Sequence, residues 1–370
     1  MTEQRSKGLR GDRRARASLV EVAKLVGVSP TSVSNAYNRP DQLSDALRER
    51  ILGAAAELGY SGPDPLARNF RRGRAEALGI VVSEPFPYPL SDPYAVRVMN
   101  GVAEGLEASQ LALVLVPGGP DRPGHAQAVR HAAVDGFILH SLLEHDALLQ
   151  TALRRHLPAV VIDGPAIPAV DFVGIDDREG AARAAQLLVD LGHRHIGVLC
   201  FRLTSHTRVG IFELSQIERT TSSVPRNRLR GCLDVLTGAG RGPCEMRVME
   251  CAMTSVEAGR QGTSELLDAF PELTAVIAFS DVLAMGAKLE ALARGLPVPE
   301  RLSIVGFDDV LPESEQLTTV RQPSLEKGRI AVGRLLELLA DEASVPRHQV
   351  LPTELVVRGS SAPAPARVSA

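Results

Sequence analysis

Between residues 77 and 307 seven short apolar runs recur: ALGIVVS, LALVLVP, DGFILH, AVVID, HIGVLC, AVIAF and LSIVGF. Each has strand length, is rich in Val, Ile and Leu, and is bounded by turn-forming or polar residues. Stretches with helical periodicity lie between and after them, near 95–109, 124–132, 146–155, 178–191, 226–238, 257–269, 281–294 and 324–341. Parallel strands cannot be joined by a tight hairpin, so this alternation predicts parallel sheets with crossover helices. So many elements exceed one sheet of ordinary size, and the chain after Glu76 is expected to form two α/β lobes.

The 370 residues leave room for a further domain ahead of the lobes, and 44% hydrophobic with 23% charged residues is the balance of a soluble globular protein. No apolar run approaches the roughly 20 residues that span a bilayer. The start, MTEQRSKGLRGDRRARAS, is basic but has no apolar core after it, so it does not read as a secretory signal, and cytoplasmic residence is expected. Cys200, Cys232, Cys244 and Cys251 lack CxxC pairing and His partners, so reduced thiols are expected, with no metal and no cofactor.

The net charge of -3 hides an asymmetry: residues 1–75 hold 14 Lys/Arg against 8 Asp/Glu, and the acidic surplus lies entirely in the remainder. A basic head on an acidic body fits a nucleic-acid contact confined to one end, although a solvated charged face has the same composition.

Within that head, Ser18 followed by Glu21 is a capping box, and Leu19, Val22, Ala23 and Val26 form the apolar stripe of a helix starting at 18 or 19. Gly27 breaks the pattern, and Ser29-Pro30 then reads as an N-cap with Pro at the first position of a second helix ending near Tyr37. A third helix is expected from Ser44 or Asp45 to Leu58, closed by Gly59. Two helices joined by a tight turn let the second lie in a major groove while the first braces it on the backbone. Thr31, Ser32, Ser34 and Asn35 are short donors and acceptors facing outward; Thr31 and Asn35 lie one turn apart within reach of base edges, where Asn suits adenine.

The stretch SLVEVAKLVGVSPTSVSNAYN resembles the head of the lac repressor/galactose repressor family nearly position by position. The resemblance implies that Pro30, Thr31 and Asn35 read bases, while Ser29, Ser32 and Ser34 support the helix or touch phosphate. It also implies that residues 61–75, SGPDPLARNFRRGRA, act as a hinge helix that orders on DNA, pairs with its dimer mate and wedges an apolar side chain into the minor groove. The family usually has Leu at the wedge where this chain has Phe70; Arg68, Arg71, Arg72 and Arg74 would contact phosphates. An ordinary basic linker is the alternative reading of this segment.

Over the body, the blocks VGIDDREGAARAAQLLVDLGHRHIGVL, RLRGCLDVL, AVIAFSDVLAMGAKLEALARGLPVPERLSIVGFDD and LTTVRQP also look like that family's. They imply a fold like periplasmic sugar-binding proteins, with a ligand between two lobes joined by three crossovers. The expected architecture is thus a small all-α helix-turn-helix head (18–60) and an α/β two-lobed periplasmic-binding-protein-like domain with parallel sheets (76–360). Lobe 1 is expected at about 76–174 and 318–342, and lobe 2 at about 175–317 and 343–360. Residues 1–17 and 361–370 are expected to be disordered tails.

Open α/β sheets bind ligands at the carboxyl ends of their strands, which directs attention to residues 83–94, His140, Asp163, Phe201, Ser280, Asp281, Asp308 and Asp309. By resemblance Arg228 and Asp308 contact the effector, with Ser280 where the family has Asn or Asp, and with Asp177 replacing the usual Asn of a DN pair. Phe86, Tyr88 and Tyr94 cluster in a Pro-rich loop where a ring would stack, or where they simply pack. Asp281 and Asp309 are read as structural caps. The segment 202–225 carries no clear periodicity and either folds over the cleft or lies at a subunit contact.

No GxSxG, P-loop or GxGxxG pattern is present, and His193 and His195 occupy a helix-to-strand turn, so no catalytic or metal residues are assigned. The resulting expectation is a homodimeric transcription regulator, most often a repressor, that binds double-stranded operator DNA and a small effector such as a sugar, sugar phosphate or nucleobase-like molecule. No membrane partner is expected. A transport binding protein and an enzyme using the same cleft are the rivals: the head and the absent export signal speak against the first, and a turnover assay would detect the second.

Overall fold

A computed structural model of the chain describes residues 17–62, 73–84, 87–116, 118, 124–205, 208–238, 244–341 and 344–366. They fall into two compact units divided between Ala75 and Glu76.

In the head, α1 (Leu19–Val26) starts as its sequence dictates: Ser18 Oγ accepts from Glu21 N at 3.3 Å, and Glu21 Oε2 accepts from Ser18 N at 2.6 Å. Gly27, at φ 75, ends α1 in the left-handed conformation that a side chain disfavours. Ser29 caps α2 (Pro30–Asn38) by accepting from Ser32 N. After a 3₁₀ turn at Pro40–Gln42 comes α3 (Asp45–Glu57). Val22, Ala23, Val33, Ala36, Ile51 and Ala55 form one buried cluster from all three helices. From α3, Arg48 donates to Ala36 O and Arg50 to Val26 O, which tethers the carboxyl ends of α2 and α1.

The body comprises two lobes. The first sheet contains β1 (Ala77–Val82), β2 (Ala112–Val116), β3 (Gly136–His140), β4 (Ala159–Ile162), β5 (Asp171–Ile175) and β12 (His348–Leu351). Its helices are α4 (Pro93–Leu106), α5 (His125–His131), α6 (Ala147–Leu153) and α11 (Ser324–Ala340). The second sheet contains β6 (His195–Cys200), β7 (Gly210–Phe212), β8 (Glu245–Glu250), β9 (Ala275–Ala278), β10 (Ser303–Asp308), β11 (Thr318–Arg321) and β13 (Glu354–Val356). With it go α7 (Asp177–Asp190), α8 (Ser223–Leu236), α9 (Val256–Ala269) and α10 (Asp281–Ala293).

Spatial order is β12-β5-β4-β3-β1-β2 in one sheet and β13-β11-β10-β9-β6-β8-β7 in the other. Apart from the antiparallel edge strands β7 and β13, every pair is parallel. Both sheets therefore wind outward in two directions, from β1/β3 in one lobe and β6/β9 in the other. At such a reversal the connections leave on opposite faces and open a crevice at the carboxyl ends of the two strands.

Two expectations about the lobes need correction. β11, expected with lobe 1, pairs with β10, and β12, expected with lobe 2, pairs with β5. The chain therefore crosses between lobes after β5, after β11 and between β12 and β13, and hydrogen-bond partners of these short strands, not their composition, decide their allegiance. The tail expected to be disordered from residue 361 is tied to the body at its described residues. Ala362 N donates to Ser303 Oγ, Ala364 N donates to Leu191 O, and Ala362 O lies 3.0 Å from Nε2 of the buried His193. The segment 202–225 supplies the edge strand β7 and a 3₁₀ turn at Leu214–Arg219, with its two ends beside the cleft.

Candidate functional site

The reversal points of the two sheets meet around a cavity of about 150 Å³. From lobe 1 it is lined by Ser83 and Glu84 after β1, His140 at the end of β3, Asp163 after β4, and Tyr88, Asp92 and Tyr94 around the start of α4. From lobe 2 come Phe201 and Arg202 after β6, Ser280 after β9, Asp308 at the end of β10, and Arg228. Gln322, on the second crossover, completes the wall.

Arg228 reaches the cavity because α8 presses on α7. A Cβ at Gly231 would lie 2.0 Å from Arg178 O, so only glycine permits this approach. The guanidinium is 4% exposed, donates to Asp177 Oδ1 at 2.8 Å and to Phe279 O at 2.6 Å, and lies over the Phe307 ring at 3.5 Å. On the opposite side Lys327 is fully buried; its ammonium donates to Asp163 Oδ1 at 2.6 Å, Gln322 Oε1 at 2.5 Å and Tyr94 Oη at 3.0 Å. Tyr94 in turn donates to the other Asp163 oxygen, and Gln322 Nε2 donates to Asp308 Oδ1 at 2.5 Å. A continuous polar chain thus runs from α4 and β4 of one lobe to β10 of the other.

These contacts set the charges. Burial alone would raise the Asp163 carboxyl, but Lys327 with His140 and Tyr94 holds it below the usual carboxylate range. Burial pushes Asp308 well above its ordinary value, only partly opposed by Arg228, and raises Asp92 to about 6. Burial also lowers His140 to about 4, so its imidazole is neutral near pH 7. Its ring stacks on Tyr94, and Nε2 finds no hydrogen-bond partner among the described residues. Asp308 sits at φ 114, a conformation that costs a non-glycine residue energy and is held by its partners. Two ion pairs bridge the lobes beside the cavity: Arg202–Glu84 at 2.9 Å and Arg226–Glu144 at 2.5 Å.

On the head, Thr31 is exposed at the first turn of α2, and Asn35, one turn on, has its amide nitrogen donating to Gln42 Oε1 at 3.1 Å. Ser29 Oγ is 2.9 Å from Ser32 Oγ, and Ser34 accepts from Asn38 Nδ2, so these serines serve the helix itself.

Residues 18–62 match the model of the bacterial regulatory proteins of the lacI family, and residues 185–361 that of the periplasmic binding protein-like domain. The HTH-type transcriptional regulator Rv3575c of Mycobacterium tuberculosis is 42% identical over 95% of this chain and 99% of its own length. The chain belongs to the LacI family of transcription regulators. Among solved LacI-family structures, the lac repressor dimer bound to operator and the anti-inducer ONPF superposes with a TM-score of 0.73 at 25% identity, covering 94% of this chain and 99% of that one. A complex of the regulator CelR with cellobiose gives a TM-score of 0.66 at 29% identity, covering 93% and 100%.

Against this LacI-family frame, Tyr94, His140, Ser280, Arg228 and Asp308, expected in the cleft from sequence, all line one cavity. Phe86 lies outside the described residues, as do Arg68, Phe70 and Arg71 of the hinge. Ser280 is the N-cap of α10, accepting from Leu283 N, so its hydroxyl is already engaged. Asp281 and Asp309 are structural, although not as caps: Asp281 accepts from Thr319 Oγ1 and Val310 N, and Asp309 pairs with Arg321 and Arg358. His193, 2.8 Å from Thr274 Oγ1 and 3.1 Å from Ser303 Oγ, is a packed core residue. His195 lies near Glu245 and Glu272 at the amino ends of the strands, away from the cavity, and Glu245 already takes Arg247.

Sequence reasoning missed Lys327 and Gln322, while Asp92 falls within the segment 83–94 that it singled out. For Lys327 a signal existed: it occupies the buried stripe of α11, with Ser324, Gly328, Ala331 and Leu335, where a lysine is out of place unless paired.

Proposed function

We propose that the chain is a homodimeric regulator, acting as a repressor in the cytoplasm, whose operator affinity changes when a sugar or related small polar metabolite binds between the lobes. The observation that carries this reading is the cavity shared by both reversal points. A ligand held there touches Tyr94 and His140 of one lobe and Arg228 and Asp308 of the other, so its affinity depends on how the lobes are arranged. A ligand shifts an equilibrium only through such a difference. The acceptor Asp308, with the neutral His140 and Tyr94 in the same wall, suits the hydroxyl groups of a sugar. CelR with cellobiose and the lac repressor with ONPF are relatives whose ligands support the class. No nucleophile, metal or cofactor is needed, and the chain acts by binding.

In the head, Thr31 and Asn35 contact base edges, with Pro30 beside them, while Ser29, Ser32 and Ser34 brace the helix and its phosphate contacts. Residues Arg68, Phe70 and Arg71 contribute phosphate contacts and the minor-groove wedge. A twofold dimer presents two identical recognition helices, so the operator is an inverted repeat with half-sites about one helical turn apart. Footprinting on the chain's own promoter region tests this, followed by operator titration with and without candidate sugars. Protection of a single asymmetric site would refute the dimeric reading, and ligand binding that leaves operator affinity unchanged would refute effector control. Asp308→Asn is the cleaner probe of the cleft, expected to keep operator affinity within a few-fold and to lose the response. Arg228→Ala is less clean, because it strands the buried Asp177.

A further inference from the structure

We infer that the cavity selects uncharged, hydroxyl-rich molecules and turns away their phosphorylated and carboxylated counterparts. The inference rests on reading the cavity as an effector site, and its ground is where each cation is spent. Among the described residues, three cations face or underlie the cavity: Arg202, Arg228 and Lys327. Each is already matched by a carboxylate of the protein, Glu84 at 2.9 Å, Asp177 at 2.8 Å and Asp163 at 2.6 Å. None offers an unmatched positive charge to an anion.

The remaining acids tip the balance further. Asp92 and Asp308 line the cavity, are buried, and take hydrogen bonds from Ala95 N and Gln322 Nε2, but neither makes an ion pair among the described residues. Burial already raises both carboxyls, so an anion brought beside them finds no cation there and is tolerated only if these acids are protonated. A phosphate would have to break one of the closed pairs, stranding a buried carboxylate, or sit beside two acids. A hydroxyl asks for neither, because Asp308 at the cavity wall can accept from it.

Asp177 is the residue that fixes this balance at Arg228. It stands just behind the cavity wall and is 8% exposed. Asp177→Asn keeps an oxygen for Arg228 Nε while removing the charge that neutralises the guanidinium. Glu84→Gln does the same for Arg202. Each substitution is therefore expected to admit anions without changing the cavity's shape.

The test is calorimetry on the full-length protein with matched sets: ribose and its phosphate ester, glucose with its phosphate ester and gluconate, and cellobiose with its acid. Binding is expected among the neutral members, with each anionic counterpart weaker by tenfold or more. In Asp177→Asn the ratio of anionic to neutral affinity should rise by tenfold or more, with Glu84→Gln as the second variant should the first fail to fold. Anionic members that bind the wild type as well as their neutral partners would overturn the inference while leaving the effector pocket standing. So would a ratio unmoved in a folded variant. A library in which nothing binds counts against the effector reading itself, and against the inference with it.

Discussion

The recognition helix and the cleft both present polar side chains, but they hold them in opposite ways. On α2, Thr31 stands in solvent and Asn35 is steadied by a single hydrogen bond to Gln42. In the cleft, Tyr94, Asp163, Gln322, Asp308 and Lys327 are tied into one chain, and Arg228 is locked to Asp177. A surface that reads DNA meets its partner in water and needs groups that are oriented but unspent. In a buried site an unmatched charge is costly, so cations there are paired and selectivity lies in which few groups remain open.

The largest effect should come from breaking the closed side. Lys327→Met leaves Asp163 buried without its cation, and urea unfolding followed on the body should show a loss of about 3–5 kcal/mol. A combined Lys327→Met, Asp163→Leu variant should recover part of it. A single-variant loss below about 1 kcal/mol would mean that Lys327 is not holding buried charge.

On the open side, Asn35→Ala should remove about 1–3 kcal/mol of discrimination at one base pair of each half-site. Competition titration against operator variants measures this, and the body's unfolding transition should not move. Ser18→Ala, which removes the capping hydroxyl of α1, should lower head stability by about 1 kcal/mol, read from the melting of a helical signal.

His140 sharpens the contrast through pH. Its folded pKa near 4 lies below its ordinary value of 6.5, so the unfolded chain binds the proton more readily. Stability from this group is full above pH 6.5 and falls as pH drops toward 4. His140→Gln should flatten that part of the profile, and an unchanged slope would show that other groups control it.

The smallest effect is expected at Glu144, whose pair with Arg226 is partly open to solvent, with side chains 29% and 16% exposed. Glu144→Gln should cost about 0.2–1 kcal/mol, shrinking further at high salt. A salt-independent loss of several kcal/mol would place this pair with Lys327 rather than with the surface.

Legibility in the sequence followed the same division. Every head helix was readable because its signals are local: Ser18 with Glu21, Gly27, and Ser29 with Pro30 lie within a few residues of what they control. The strands at the centre of each sheet were readable as apolar runs. β5, β7, β8, β11, β12 and β13 were not: four of them have only three or four residues and acquire strand character from a neighbour, while polar residues interrupt the apolar run in DFVGI of β5 and EMRVME of β8. In the cleft, the ends of long strands indicated Tyr94, His140 and Asp308, whereas the bond from Lys327 to Asp163 joins positions 164 residues apart. No local pattern encodes such a pairing.

The three passages between the lobes have a mechanical consequence. The last of them is only Pro352 and Thr353, a link that lets Leu351 and Glu354 stand at most about 11 Å apart, and Thr353 O is further tied to Arg183. Three tethers, one of them this short, act like a leaf spring clamped at one edge. They allow a shared bend and resist torsion, since a twist would have to stretch at least one. Whatever fills the cleft is thereby read out along a single coordinate, so that ligands of different shape are reduced to one question: how far the spring is bent.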